Sequence, residues 1–452
     1  VRSPYDDELL GRVPECGPNE VDRAVAVAKA AREHDPLPQW KRAEILDTAA
    51  RLLGERVEKF AATIAGEAAK PIKTARIEAQ RAVDTLAFSA AVARTASGEL
   101  VALDASAAGV GKFGFVLRVP VGVVAAISPF NFPLNLVCHK VGPAIAAGCP
   151  VVLKPASATP LSALALADLL IDECGLPEGW LNVVTCPGSV ANHLVDHADV
   201  AMITFTGSAD VGWGIRARAP RKKVSLELGN NAPVVIEPDS NWQAAVTKIK
   251  VAGYSHAGQS CISTQRVYVH RAIADDFSAA LVAEVESLVV GDPADERTDV
   301  SALIDADEVD RVVEWIAEAV AGGARVACGG RTQGRLLLPT VLCDVTPDMK
   351  VCAKEVFGPV VTVQAYDDFD VALALADDST YGLQAAVFTA DIGKAMRAAR
   401  SLHYGGVLVN EVPTWRADHM PYGGVRDSGN TREGPAYAVR EMTLERLVVV
   451  QP

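Results

Sequence analysis

Val121–Ser157 reads VGVVAAISPFNFPLNLVCHKVGPAIAAGCPVVLKPAS. Its first seven residues are apolar or glycine at every position, without the alternation of a strand that has one wet face. That pattern predicts a strand covered on both sides. Proline at 129 and 133 breaks the chain. Leu134–Ala147 then has the length and apolar content of a buried helix, and Val151–Leu153 is a second short apolar strand. Strand, helix and strand within about 30 residues make a βαβ unit, whose strands must lie parallel.

The same texture continues outward. A helix is expected at Leu161–Ile171, strands at Leu181–Val184 and Val200–Phe205, a helix from Ser208, and a strand at Val224–Leu228. This alternation predicts a doubly wound parallel sheet. A second set of short strands follows at Ala232–Ile236, Val267–His270, Arg325–Ala327, Val360–Ala365, Ala385–Phe388 and Val407–Val409, with helical stretches between. Before the first sheet the chain reads helical. Asn19 is the expected N-cap of a helix whose apolar face is Val21, Ala24, Val25 and Ala28, and further helices are expected at Trp40–Leu53, Val57–Ala68 and Lys73–Thr95. Val101–Val119 and Leu444–Val450 are β-like without a helical partner, so they suit a sheet edge in another lobe or another subunit. The expected class is α/β: two doubly wound lobes plus a β-arm. The boundaries are 1–100 with 120–229 for the first lobe, 230–430 for the second, and 101–119 with 431–452 for the arm.

Composition agrees with a large folded chain. Of 452 residues, 50% are hydrophobic and 22% charged, and the net charge is −13. An acidic chain without a basic stripe is a poor partner for nucleic acid or an anionic membrane. No apolar run reaches the ~18 residues a spanning helix needs. Val1–Glu8 carries one basic and three acidic residues rather than a secretory pattern. Nine scattered cysteines without a CxxC pair suit reduced thiols in a cytoplasm and no metal site.

Several residues carry chemistry. Cys261, in YSHAGQSCISTQR, lies in a small, polar stretch; it is either a nucleophile or a buried structural thiol. Glu227, in VSLELGNN, ends an apolar strand; it is either a loop cap or a desolvated base. Asn131 follows a strand end, where α/β sheets bind ligands, and is either a turn residue or a donor to a developing oxyanion. FTGSADVG (Phe205–Gly212) places Gly207 and Ser208 between a strand and a helix start, an anion-binding arrangement. Lys154 in LKPAS is either a solvated loop lysine or a ribose or phosphate contact. Glu355 and Phe357 in KEVFGPV are either turn chemistry or a ribose acceptor and a packing aromatic.

Taken together and in this order, SPFNFP, LKPAS, FTGSADVG, LELG, GQSC and EVFGP resemble the aldehyde dehydrogenase superfamily, over nearly the whole chain. The branches it most resembles act on lactaldehyde, phosphonoacetaldehyde and, without phosphorylation, glyceraldehyde 3-phosphate. The resemblance implies a dinucleotide-binding lobe, a catalytic lobe and an oligomerisation arm, in a homodimer or homotetramer. It implies that Cys261 is the nucleophile, Glu227 the base, and Asn131 with the Cys261 N–H the oxyanion hole. It implies that NAD or NADP is held by Ser128, Pro129 and Phe130 after one strand and by Lys154 and Ser157 after the next. Gly188, Phe205, Gly207, Ser208 and Leu228 continue that set, and Glu355 and Phe357 join it from the second lobe. Ser157 stands where NAD-preferring members often carry glutamate, so NADP is admitted. Asn135 and His139 share a helix face, and Arg416 and His419 lie in TWRADHMPYGG; by the resemblance these four meet the substrate. An arginine among imidazoles suits an anionic tail, unless Arg416 pairs with Asp418 or Glu411. The implied reaction is oxidation of a small aldehyde to its acid. The alternative is a non-redox thioester or ester hydrolase on the same scaffold.

Overall fold

The computed structural model describes all 452 residues. Four helices open the chain: α1 (Pro18–His34), α2 (Gln39–Gly54), α3 (Val57–Ala68) and α4 (Ile72–Thr95). α1 begins two residues earlier than Asn19 would allow as a cap. Pro18 occupies its first turn, and the Glu20 carboxylate accepts from the Gly17 N–H at 2.8 Å, so the capping falls to Glu20.

Two short strands follow, β1 (Leu100–Val101) and β2 (Phe113–Pro120). The stretch expected as one β-like arm is interrupted by two single 3₁₀ turns at Leu103–Ala105 and Ala107–Gly109. Next come β3 (Val123–Ile127), α5 (Asn135–Ala147), β4 (Val151–Lys154), α6 (Leu161–Asp168), β5 (Leu181–Val183), α7 (Gly188–Asp196), β6 (Val200–Thr206), α8 (Ala209–Arg218) and β7 (Lys223–Glu227). The last turn of the expected 161–171 helix is a wider π turn at Leu169–Glu173. All five strands are parallel, in the order β5-β4-β3-β6-β7. Val124 and Ala126 of β3 face α2, α4 and α5, whereas Val123, Ala125 and Ile127 face α1, α7 and α8. Both faces are dry, which is why these strands do not alternate. Every residue of α5 is buried.

The second lobe starts with β8 (Pro233–Ile236), α9 (Trp242–Tyr254) and β9 (Arg266–His270). It continues with β10 (Arg325–Cys328), a small hairpin of β11 (Thr332–Gln333) and β12 (Leu336–Leu337), then β13 (Thr340–Cys343), β14 (Val360–Tyr366), β15 (Gln384–Phe388) and β16 (Gly406–Val409). Its sheet runs β10-β13-β14-β9-β8-β15-β16, parallel except for β10 at the edge. β13 was not foreseen. It is no shorter than β4 or β8, but Pro339 interrupts the apolar run Leu336–Cys343 that holds it, and its place between β10 and β14 makes it a strand.

β17 (Thr443–Val450) pairs antiparallel with β2 along its whole length, and β1 pairs with the other edge of β2. This three-stranded sheet is thus 100–101, 113–120 and 443–450. Residues 431–442 do not belong to it: the helix Pro435–Glu441 leads into Met442, and Val439 and Met442 are buried in the core of the first lobe.

One interior ion pair ties these helices to the strand ends. Lys70, just past α3, and Glu78 of α4 are both fully buried and paired. Lys70 also donates to the Asn131 carbonyl at 2.6 Å, and Glu78 accepts from the Leu134 and Asn135 N–H groups at the start of α5. Breaking such a pair strands a charge in the interior. Glu78→Leu is expected to lower stability by roughly 3–5 kcal/mol, read as a fall in the denaturation midpoint; an unchanged midpoint would show that Lys70 is neutral or otherwise served.

Candidate active site

The parallel register ends the strands of the first sheet on one row. Ile127 of β3 pairs with Lys154 of β4 and Phe205 of β6, and Thr206 pairs with Glu227 of β7. The chain winds from β3 toward β5 on one side and through β6 to β7 on the other, so a crevice opens between the ends of β3 and β6. Ser128–Asn131 leave β3 there, and Gly207–Ser208 leave β6.

Each loop has a local reason for its shape. Gly207 carries no side chain beside the Phe205 ring, which a Cβ would approach to 2.5 Å. Ser208 caps α8 by backbone conformation while its hydroxyl stays unbonded. Lys154 Nζ donates only to the Pro155 carbonyl, at 3.0 Å, and burial lowers its pKa. Ser157 Oγ donates to the Cys186 carbonyl at 3.3 Å. The Ser128 hydroxyl is buried without a partner. Asn131 donates through its amide to the Gln259 carbonyl at 2.9 Å, and its Oδ1 has no partner.

The second lobe meets this edge with residues that precede its strands. α9 ends in a tight reversal in which His256, Ala257 and Gly258 are all left-handed, with φ of 51°, 54° and 72°. A Cβ at Gly258 would lie 2.1 Å from the Gly358 carbonyl oxygen. The reversal delivers Cys261 to the cleft wall, with Sγ 3.0 Å from Tyr422 Oη. Burial pushes the Cys261 thiol up to about 12, and the Tyr422 hydrogen bond works against that rise. Glu355 accepts from the Asn230 N–H at 2.9 Å and lies where a Gly229 side chain would be; burial raises it to about 7. Phe357 adopts φ 49° and meets Phe130 edge-on at 5.8 Å. Both oxygens of Glu227 are buried and unbonded. Burial, and then the neighbouring Glu433, hold its carboxyl well above the usual range.

These groups share one cleft of about 620 Å³. Its walls include Cys261, Glu227 and Asn131, together with Ser128, Pro129, Phe130, Lys154, Ser157, Gly188, Phe205, Gly207, Ser208, Leu228, Glu355 and Phe357. Asn135, His139, Arg416 and His419 are not among them. Asn135 and His139 bond Asp418, at 3.1 and 2.9 Å, and Arg81 holds the same carboxylate with two nitrogens at 2.8 and 3.0 Å. Burial alone would raise Asp418, but the His139 and Arg81 hydrogen bonds hold it far below the usual carboxylate range. Arg416 pairs with Glu433 at 2.9 Å rather than with Glu411, and reaches Asp418 only at 4.0 Å. His419 is exposed and stacks on Phe88. Sequence reasoning passed over Tyr422 and, except as a partner of Arg416, Asp418, and it passed over Glu433. The first two stand in the quoted TWRADHMPYGG loop, but no spacing rule marks which of its side chains turn inward.

The cleft suits a dinucleotide. It has an unpartnered buried hydroxyl at Ser128, a helix start at Ser208 with no side-chain cap, and open space at Gly188, where a Cβ would touch nothing. The chain matches the aldehyde dehydrogenase family over residues 1–448. It is 47% identical to a 3-sulfolactaldehyde dehydrogenase of Priestia aryabhattai, over all of this chain and 94% of that one. It superposes with a TM-score of 0.96 on an aldehyde dehydrogenase of Physcomitrella patens in complex with the product succinate, at 38% identity, covering all of this chain and 94% of that one. It also superposes with a TM-score of 0.96 on a glyceraldehyde-3-phosphate dehydrogenase of Methanocaldococcus jannaschii complexed with NADP, at 35% identity, covering all of this chain and 98% of that one. The protein belongs to the aldehyde dehydrogenase family. It is an NAD(P)-dependent oxidoreductase acting on a small aldehyde, and the non-redox hydrolase reading is without support. No helix is long and apolar enough to cross a membrane.

Because Gly207 has no room for a side chain, Gly207→Val is expected to raise the KM for dinucleotide at least about ten-fold. An unchanged KM would remove this loop from the binding site.

Proposed function

We propose that Cys261 attacks the aldehyde carbon, that Asn131 and the Cys261 N–H receive the oxygen as it becomes charged, and that Glu227 activates the water which releases the acid. What supports this is that the thiol, the carboxylate and the amide converge on one cleft wall beside the strand-end crevice. Thiolate attack gives a tetrahedral thiohemiacetal. Donors aimed at its oxygen are worth about 3–4 kcal/mol each in comparable sites. When bound, the dinucleotide supplies the hydride acceptor. Collapse of the tetrahedral carbon leaves a thioester on Cys261. Water must then attack it, and an unbonded carboxylate with a raised pKa is suited to take the water's proton. A base at this position favours hydrolysis over transfer of the acyl group to coenzyme A.

We place the dinucleotide against Ser128–Phe130, Lys154, Ser157, Gly188 and Phe205–Ser208, with Leu228, Glu355 and Phe357 closing over it. Ser157 is small and neutral and Lys154 is not ion-paired, so both dinucleotides are used, with a lean to NADP. We assign the exposed apolar residues of the arm, Phe113, Leu444 and Leu447 among them, to contact with further copies of the chain.

For the substrate we propose a short aldehyde with an anionic tail. Sulfolactaldehyde, glyceraldehyde 3-phosphate and the product succinate, named for the relatives, share that chemistry. Arg416 is engaged by Glu433, so the tail meets the outer side of the cluster around Asp418. There Arg81 is 23% exposed and His419 faces solvent, with Asn135, His139 and Arg416 behind them.

Cys261→Ala is expected to abolish turnover. Glu227→Gln is expected to release one equivalent of reduced dinucleotide per site and then slow about 10²–10⁴-fold; undiminished steady-state turnover by Glu227→Gln would refute the base. In a panel of neutral, carboxylate, sulfonate and phosphate aldehydes, Arg81→Ala is expected to raise KM about ten-fold or more for the anionic members alone, as loss of a charged hydrogen bond does. Equal KM values across the panel would defeat the anionic-tail reading.

A further inference from the structure

Cys261 sits in surroundings hostile to a thiolate. Burial is the main cause, and Glu355 and Glu227 add to it across the cleft; the Tyr422 hydrogen bond and then Arg416 act in the opposite direction. Of these, one side chain touches the sulfur. Tyr422 Oη lies 3.0 Å from Sγ, and the phenol has no other hydrogen-bond partner. A thiol can donate to a phenol or accept from it, but a thiolate can only accept. Ionisation of Cys261 therefore fixes the direction of this hydrogen bond, with the Tyr422 O–H as donor.

The tyrosine is held for that contact. Tyr422 and Glu433 exchange backbone hydrogen bonds as an antiparallel bridge, which pins the loop. Ile262 and Leu383 pack around the ring, and Tyr422 is 3% exposed. The Arg416 guanidinium lies 3.8 Å from the ring centroid and is anchored on its far side by Glu433. A cation over the face withdraws electron density from the ring and makes the phenol a stronger donor. This gives the buried Arg416 a place in the site that contact with the substrate tail does not.

We propose that Tyr422 is a catalytic residue that donates its hydroxyl hydrogen bond to the Cys261 sulfur and holds the thiolate ready for attack, with Arg416 as the positioning residue that fixes and polarises the phenol. The inference rests on Cys261 being the nucleophile. It adds no bond-making step: the phenol keeps its proton, and the thiol proton passes to water in the open cleft that Cys261 lines.

The test is alkylation of the full-length protein, without dinucleotide, by iodoacetamide between pH 6 and 10. Modification of the Cys261 peptide is followed by mass spectrometry, because eight other cysteines are present. Tyr422→Phe removes one oxygen and keeps the ring. It is expected to move the midpoint of the pH–rate profile up by about one unit, to slow alkylation below the midpoint about ten-fold, and to lower kcat/KM to a similar extent. Tyr422→Met, which cannot donate at all, is expected to give the same shift. A purely structural tyrosine would lower the unfolding temperature and leave the midpoint where it was. An unmoved midpoint in either variant overturns the proposal. Turnover by Cys261→Ala would instead overturn the assignment of the nucleophile, whatever Tyr422→Phe does.

Discussion

Parallel pairing is the constraint on which the rest of this molecule depends. Five strands that run the same way end at the same edge, and the register puts Ile127, Lys154 and Phe205 in one row with Glu227 a residue further on. Each of these strands gives way to a loop at that edge, so backbone donors and helix starts collect there without any long-range design. The second lobe complements the edge in reverse. Cys261 comes before β9 and Glu355–Phe357 before β14, so it presents the beginnings of its strands to the ends of the first lobe's. Only residues 228–232 separate β7 from β8, and this short connection keeps the two edges face to face.

Buried charge gathers both on the cleft wall and behind it. Glu227 and Glu355 are raised by burial, Asp418 is held low by Arg81 and His139, and Lys70 is paired with Glu78 beneath the Asn131 loop. Interior ionisable groups oppose folding unless they are paired, and here they fall into two kinds. Those with partners, around Asp418 and Lys70, brace the loops that carry Asn131 and Tyr422. Those without, chiefly Glu227, keep lone pairs free for chemistry. The difference is visible in the hydrogen bonds rather than in residue type.

Much of this was legible beforehand. Strands buried on both faces announce themselves as continuous apolar runs, and β3 through β9 fell within a few residues of expectation. Cys261, Glu227 and Asn131 could be singled out as candidates because a thiol, a carboxylate and an amide occur there in short, distinctive contexts. The remainder was obscured by physical causes. β13 is a strand only because its neighbours pair with it. The helix Pro435–Glu441 was assigned to the arm because nothing local shows that Val439 and Met442 reach the first core. Nothing local to Asn135, His139 and Arg416, expected to meet the substrate, shows that Asp418 and Glu433 hold them in the interior.

The amino-acid sequence alone determined the α/β class, the succession of most strands and the candidates for the reactive groups, because hydrophobic period and side-chain chemistry are local properties. Only the tertiary structure decided which carboxylates are free and which are paired, that Arg416 lies against Tyr422, and that Tyr422 touches Cys261. Those contacts join residues on different elements, as Cys261 and Tyr422 are at 161 positions apart, or on different turns of one loop, as Arg416 and Tyr422 are. Their geometry follows from how two sheets meet edge to edge, and no spacing along the chain encodes it.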